Sequence, residues 1–197
     1  MSFILGLTGS IAMGKSATAA LFAAEGLAVW DADAAVHRLY GPGGAAVAPL
    51  AALFPRALAG DAISRPALAA EIAADPGALA RIESVVHPLV AADRAAFLAA
   101  APGDIVVLDV PLLYETGADA LCDAVAVVSA PAGVQRARAL ARPGMDGTRL
   151  AALLARQLPD AEKRARARWV IDTVTPEQAR AQVRAIIAGI RREAADA

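Results

Sequence analysis

Eight residues near the amino terminus constrain this chain more than any other feature. In Gly9-Ser10-Ile11-Ala12-Met13-Gly14-Lys15-Ser16, a second glycine follows the first after four residues and is followed at once by a lysine and a hydroxyl side chain. The preceding run, Phe3-Ile4-Leu5-Gly6-Leu7, is short and apolar and reads as a buried strand. A helical pattern anchored by Leu21 and Phe22 follows, with Gly26 placed as its C-cap. A glycine-bearing loop between a strand and a helix turns successive backbone N–H groups and a helix N-terminus toward one point, which suits a polyphosphate. Gly9, Ala12, Met13, Gly14, Lys15, Ser16 and Ala17 are therefore the predicted nucleotide-binding residues. Lys15 bridges the β- and γ-phosphates, and Ser16 offers its hydroxyl to Mg²⁺.

The remaining punctuation predicts four more strands: Leu27–Trp30, Ile105–Val110, Asp123–Ser129 and Trp169–Asp172. The third of the five is continuously apolar, as a parallel strand covered on both faces must be. Strands alternating with helices predict an α/β fold, a three-layer architecture around a five-stranded parallel sheet. Between strands two and three, the chain from Ala34 to Leu98 reads mainly helical, with breaks at residues 41–44, 60–61 and 75–77. That is too long for a simple crossover and predicts a helical subregion over 34–100. The expected organisation is one domain over 1–197, with an Arg-rich helical stretch interrupted by Pro143-Gly144 and a terminal helix from Pro176 to Arg192.

Composition excludes several classes. Mean hydropathy is +0.48, but alanine carries it, and no run reads as a spanning helix. No basic region precedes the first apolar stretch, so no signal peptide is expected. A net charge of −1 argues against nucleic-acid coating or a polybasic membrane role. One cysteine, Cys122, excludes an internal disulfide and a cysteine-built zinc site, so a reducing cytoplasm is the expected compartment. No obligatory protein partner is evident. The chain holds no asparagine, which removes the Asn-Lys-x-Asp guanine reader and favours ATP over GTP. Lysine occurs only at Lys15 and Lys163 among 19 basic residues. A lysine retained against an arginine bias points to work that a guanidinium cannot do, and here it points to Lys15.

Three further patterns carry chemistry. Asp31-x-Asp33 closes the second strand, where one carboxylate can help hold magnesium and the other accept a proton from an attacking hydroxyl. The competing reading makes Asp33 a helix N-cap, and spacing alone leaves the two even. Asp109 ends the apolar third strand and is a candidate magnesium ligand. Arg138 and Arg142, at i, i+4 spacing before Pro143-Gly144, fit a mobile basic lid that closes over a triphosphate. Lys163-Arg164-Ala165-Arg166-Ala167-Arg168 belongs either to that lid or to plain surface. His87, before Pro88, reads as a helix break.

Taken in order, these residues resemble the dephospho-CoA kinase family over nearly the whole chain. The resemblance rests on Gly6-Leu7-Thr8-Gly9 with the phosphate loop, Asp31-Ala32-Asp33, Ser64-Arg65-x-x-Leu68 and His87-Pro88. It continues through Pro111-Leu112-Leu113-Tyr114-Glu115, Gln135 with Arg138 and Arg142, Gln157, and Val170-Ile171-Asp172. The 111–115 segment is the most specific, since general kinases lack it. The resemblance implies a P-loop kinase that moves the γ-phosphoryl of ATP, with Mg²⁺, to the ribose 3′-hydroxyl of dephospho-CoA. It implies an acceptor-binding subregion over 34–100 and a lid over 136–168. Asp33 matches the proposed general base, and Lys15 and Arg142 match the groups that stabilise the transferring phosphoryl. Asp33, Arg65, Leu112, Tyr114 and Glu115 fall where the acceptor is held, while Ser16, Asp31 and Asp109 fall on the metal side and Arg138 on the nucleotide side. Ser10, Ala12 and Met13 stand where the family is richer in glycine. Ala17 replaces a common Thr, Arg168 a usual Asp and Thr173 a usual Asn.

Overall fold

The computed structural model describes residues 2–196, which fall into two compact units. One comprises the chain up to Trp30 together with everything from Ala101 onward; the other is Asp31–Ala100.

The first unit contains the sheet. Its strands are β1 (Phe3–Thr8), β2 (Ala28–Asp31, whose last residue opens the second unit), β5 (Ile105–Asp109), β6 (Ala124–Ser129) and β7 (Trp169–Asp172). They lie in the order β2-β5-β1-β6-β7. β1 pairs in parallel with β5 and β6, and β6 with β7. The helices of this unit are α1 (Lys15–Ala24), α6 (Ala132–Leu140), α7 (Gly147–Leu154), α8 (Asp160–Arg166) and α9 (Pro176–Ala195).

Strand alternation explains the layering. Leu5, Leu7, Ile105, Val107, Ala126 and Val128 join one core with Phe22 of α1 and Val183, Ile186, Ile187 and Ile190 of α9. Val125 and Val127 instead join Leu113 and Tyr114 in a second cluster. At Gly6 this second cluster leaves no room: a Cβ there would lie 2.8 Å from Leu113 Cδ2 and 2.9 Å from Cys122 Sγ. The registers Leu7↔Asp109, Thr8↔Val127 and Ser129↔Asp172 bring the carboxyl ends of four strands to one edge. In open parallel sheets that edge is where ligands bind.

The second unit holds α2 (Ala32–Tyr40), α3 (Val47–Leu53), α4 (Arg65–Ala74) and α5 (Ala78–Ala100) around Leu39, Leu50, Phe54, Leu68, Ile82 and Val86. Three local expectations change here. The break at Gly60-Asp61 is the turn of a short antiparallel hairpin, β3 (Leu58–Ala59) with β4 (Ala62–Ile63), and Gly60 takes φ +65° there. Two-residue strands are too short to show an alternation in sequence. Pro88 does not break α5 but lies inside it. Packing of Ile82 and Val86 in the unit's core holds the helix through a residue that in isolation would interrupt it. Finally, the second strand stops at Asp31 and helix begins at Ala32.

Candidate active site

The phosphate loop is a shape that most side chains cannot enter. Gly14 has φ +92°, and Ala12 also sits in the left-handed region at φ +61°. A non-glycine residue there costs on the order of 1 kcal/mol, and Ala12 is held by burial against Ala139 and Leu150. Side chains from distant segments fix the loop's backbone. Gln135 Nε2 donates to Ile11 O at 2.9 Å, while Gln157 Oε1 accepts from Ile11 N at 3.0 Å. The Thr173 hydroxyl donates to Met13 O at 2.7 Å. Two guanidinium nitrogens of Arg138 reach Thr173, one to its hydroxyl at 3.1 Å and one to its carbonyl at 2.6 Å. The sequence singled out neither glutamine as a loop clamp; both appeared only as members of an ordered set. A polar side chain reaching across 124 or 146 residues leaves no periodic signal.

Gly9 is required by space. A Cβ there would lie 2.3 Å from Val128 Cγ2 and 2.8 Å from Val128 O. The carbonyl belongs to a central strand and cannot retreat. Gly9→Ala is therefore expected to displace the loop, lowering thermal stability by about 1–3 kcal/mol, as overpacking does. ATP affinity should fall with it. A melting curve and an ATP titration check both, and wild-type values in both would contradict the contact.

Lys15 opens α1, and its ammonium lies 2.7 Å from Asp109 Oδ1. Asp109 is fully buried; Lys15 is 13% exposed. Ser16 and Ala17 follow on the exposed side of the first turn. Magnesium favours oxygen ligands and keeps several waters, so it needs few protein donors. Among the described residues no cluster of three or more His, Cys, Asp or Glu is arranged to cage a metal. The Ser16 hydroxyl and the Asp109 carboxylate are oxygen donors of the right type flanking Lys15, and they fit an ion brought in with a triphosphate.

The other site residues divide by surroundings. Asp31, not Asp33, caps α2: its carboxylate accepts from Ala34 N at 2.9 Å. The capping alternative thus lands two residues earlier than spacing suggested, because the strand ends at Asp31 and the alternation that would pair the two carboxylates stops with it. Asp33 is exposed in the helix's first turn. Arg65 is exposed at the start of α4, just after the Ser64 cap, with its guanidinium 5.8 Å from the Tyr40 ring centre. Burial raises the Tyr40 hydroxyl pKa, and the Arg65 charge partly offsets that.

Arg138 and Arg142 do not share a helix face. α6 ends at Leu140, and Arg142 lies exposed in the following turn. Pro143 disfavours helical backbone at the residue before it, which stops the helix short. Of the stretch from Lys163 to Arg168, the arginines are exposed surface but Lys163 is not. Lys163 is fully buried, with Nζ 2.9 Å from Glu115 Oε1 and donating to Pro111 O at 3.3 Å. Leu158 N donates to the same Glu115 oxygen at 2.8 Å, and Ser129 Oγ donates to Asp160 at 2.8 Å. Burial alone would raise the Glu115 carboxyl, but the hydrogen bonds from Lys163 and Leu158 outweigh it and hold its pKa below the usual value. In the same segment Leu112 is exposed, whereas Tyr114 is buried beneath the Arg166 guanidinium, 4.2 Å from its ring centre.

These features have close counterparts. The dephospho-CoA kinase family model matches residues 3–177. A dephospho-CoA kinase of Cereibacter sphaeroides is 65% identical over 195 residues, covering 99% of this chain and 98% of that one. Another, of Ruegeria pomeroyi, is 58% identical over 191 residues, covering 97% of each. A crystal structure from Thermus thermophilus superposes with a TM-score of 0.84 at 33% identity, over 95% of this chain and 97% of that one. A dephospho-CoA kinase from Campylobacter jejuni shares the fold, with a TM-score of 0.73 at 23% identity, over 98% and 99% of the two chains. The chain belongs to the dephospho-CoA kinase family, ATP-dependent phosphotransferases that carry out the last step of coenzyme A biosynthesis.

Proposed function

We propose the following division of labour among this chain's residues in moving the γ-phosphoryl of ATP to the 3′-hydroxyl of dephospho-CoA. The observation that supports it best is the clamped loop at the carboxyl edge of the sheet, with Lys15 held over Asp109. Gly9 and the residues from Ala12 to Ala17 wrap the phosphates with backbone N–H groups. Lys15 exchanges its carboxylate for the β- and γ-phosphates and follows the charge as it shifts to the leaving oxygen. Ser16 and Asp109 hold Mg²⁺, which when bound neutralises phosphate charge; Asp31 acts there only through its remaining acceptor capacity beside the α2 cap. Asp33 takes the proton of the 3′-hydroxyl as that oxygen bonds to the γ-phosphorus and the bond to the β–γ bridging oxygen breaks, leaving ADP.

Residues 34–100 serve as the acceptor-binding subregion, with Arg65 presenting a cation to the acceptor's phosphate groups. In the 111–115 segment, exposed Leu112 faces the acceptor, while Tyr114 and Glu115 shape that wall from beneath. Arg138 supports the nucleotide side of the loop. Of the 136–168 region, residues 141–154 are the proposed lid, resting on the phosphate loop through Leu150, whereas Gln157, Asp160 and Lys163 tie the residues that follow to the loop, to Ser129 and to the 111–115 turn. Among the described residues no helix is long and apolar enough to cross a membrane.

The deciding experiment is coupled ADP release from ATP and Mg²⁺ with dephospho-CoA present, absent, or replaced by shikimate or adenosine. Release only with dephospho-CoA, with a product one phosphate heavier by mass, is expected. Release without any acceptor would favour an ATP-hydrolysing switch instead. Arg142, exposed beyond α6, reaches the reacting phosphate only on lid closure. Arg142→Ala should therefore lower kcat by about tenfold to a hundredfold while ATP affinity changes little. Equal losses in both would remove it from the transition state.

A further inference from the structure

We propose that Lys163 is a positioning residue for the acceptor: its buried ammonium fixes the Pro111–Glu115 turn relative to the phosphate loop. The proposal rests on the reading of that turn as the acceptor's wall. Lysine is scarce in this chain, and Lys163 is one of two, yet its side chain is 0% exposed. Burying an ammonium and a carboxylate together costs several kcal/mol per ion, and apolar residues of similar volume usually stabilise a fold as well or better. Stability alone is therefore a poor reason for a lysine here.

The hydrogen bonds suggest another reason. A carbonyl oxygen has two lone pairs, and Pro111 O accepts from two donors. One is Lys163 Nζ at 3.3 Å; the other is Thr8 Oγ1 at 3.0 Å, from the last residue of β1, directly before Gly9. The same ammonium holds Glu115, four residues on, at 2.9 Å. Glu115 also accepts from Leu158 N. Lys163 thus ties both ends of the turn to α8, and Thr8 ties its start to the strand that delivers the loop. At the preceding strand end, Asp109 carries the chain's other lysine. The segment 109–115 is held by lysine at each end: one is the loop's own phosphate-binding group, the other sets the wall. A compact ammonium satisfies a carbonyl and a carboxylate at once, which no apolar replacement does.

The test separates position from stability. Lys163→Met alone strands the Glu115 charge, so the main variant is Lys163→Met/Glu115→Gln, which removes both charges. The expected result is a folded protein with near-normal Tm, a KM for dephospho-CoA raised about tenfold or more, and an unchanged KM for ATP. Lys163→Arg, which keeps the charge but not the compact shape, should shift the same KM by a smaller factor and serves if the double variant fails to fold. A lowered Tm with both KM values unchanged, in either variant, would overturn the proposal and leave Lys163 a structural residue. Leu112→Ala tests the underlying reading. If it too leaves the dephospho-CoA KM unchanged, the wall assignment has failed; if it raises that KM while the Lys163 variants do not, only the role of Lys163 has failed.

Discussion

Lys15→Ala is expected to abolish phosphoryl transfer, with kcat reduced by about 10³-fold or more, as when a preorganised charge at a reacting phosphate is lost. The geometry adds a second consequence. The variant removes the ammonium 2.7 Å from the fully buried Asp109 carboxylate. Breaking a buried pair by deleting one partner destabilises by about 3–5 kcal/mol. Lost activity then has to be told apart from lost fold, and Lys15→Ala/Asp109→Asn does this by neutralising the carboxylate as well. The double variant should recover much of the melting temperature and none of the turnover. Thermal unfolding beside steady-state ADP release makes the comparison; recovered turnover would show that Lys15 serves the fold and not the phosphates.

Asp33→Asn is expected to lower kcat by about 10²-fold or more while ATP affinity stays near wild type. Here the structure removes the confounding effect. The helix cap is Asp31, and Asp33 is an exposed first-turn residue. Losing one negative charge near a helix N-terminus costs about 0.3–1 kcal/mol. A large rate loss with a nearly unchanged melting curve therefore supports proton transfer. An unchanged rate, measured in single-turnover quench with dephospho-CoA, would leave Asp33 as no more than a favourable charge on the α2 dipole.

The middle of the sheet was legible because its inner strands are covered on both faces and so are continuously apolar: Ile105–Val110 and Asp123–Ser129 announced β5 and β6 to within a residue or two. The phosphate loop was legible because its chemistry needs fixed spacing between residues adjacent in sequence. Contacts made across long separations were not. Gln135, Gln157 and Thr173 converge on the loop from three segments, and nothing in their neighbours' periodicity marks them. The Asp31 cap was misplaced by two residues because an acidic residue before a helix fits either position until the strand's end is known. Lys163 was left between lid and surface because a charge among arginines fits either; only the buried carboxylate facing it, 48 positions away, makes burial tolerable.

The two lysines also determine how this protein meets amine chemistry. Both side-chain amines are ion-paired with carboxylates, one 13% exposed and the other fully enclosed. An acylating or reductive-alkylating reagent, which needs an accessible free amine, should find the folded chain's lysines nearly inert. Whatever slow labelling occurs at Lys15 would be suppressed by a bound triphosphate, so occupancy of the nucleotide site becomes readable as the protection of a single peptide.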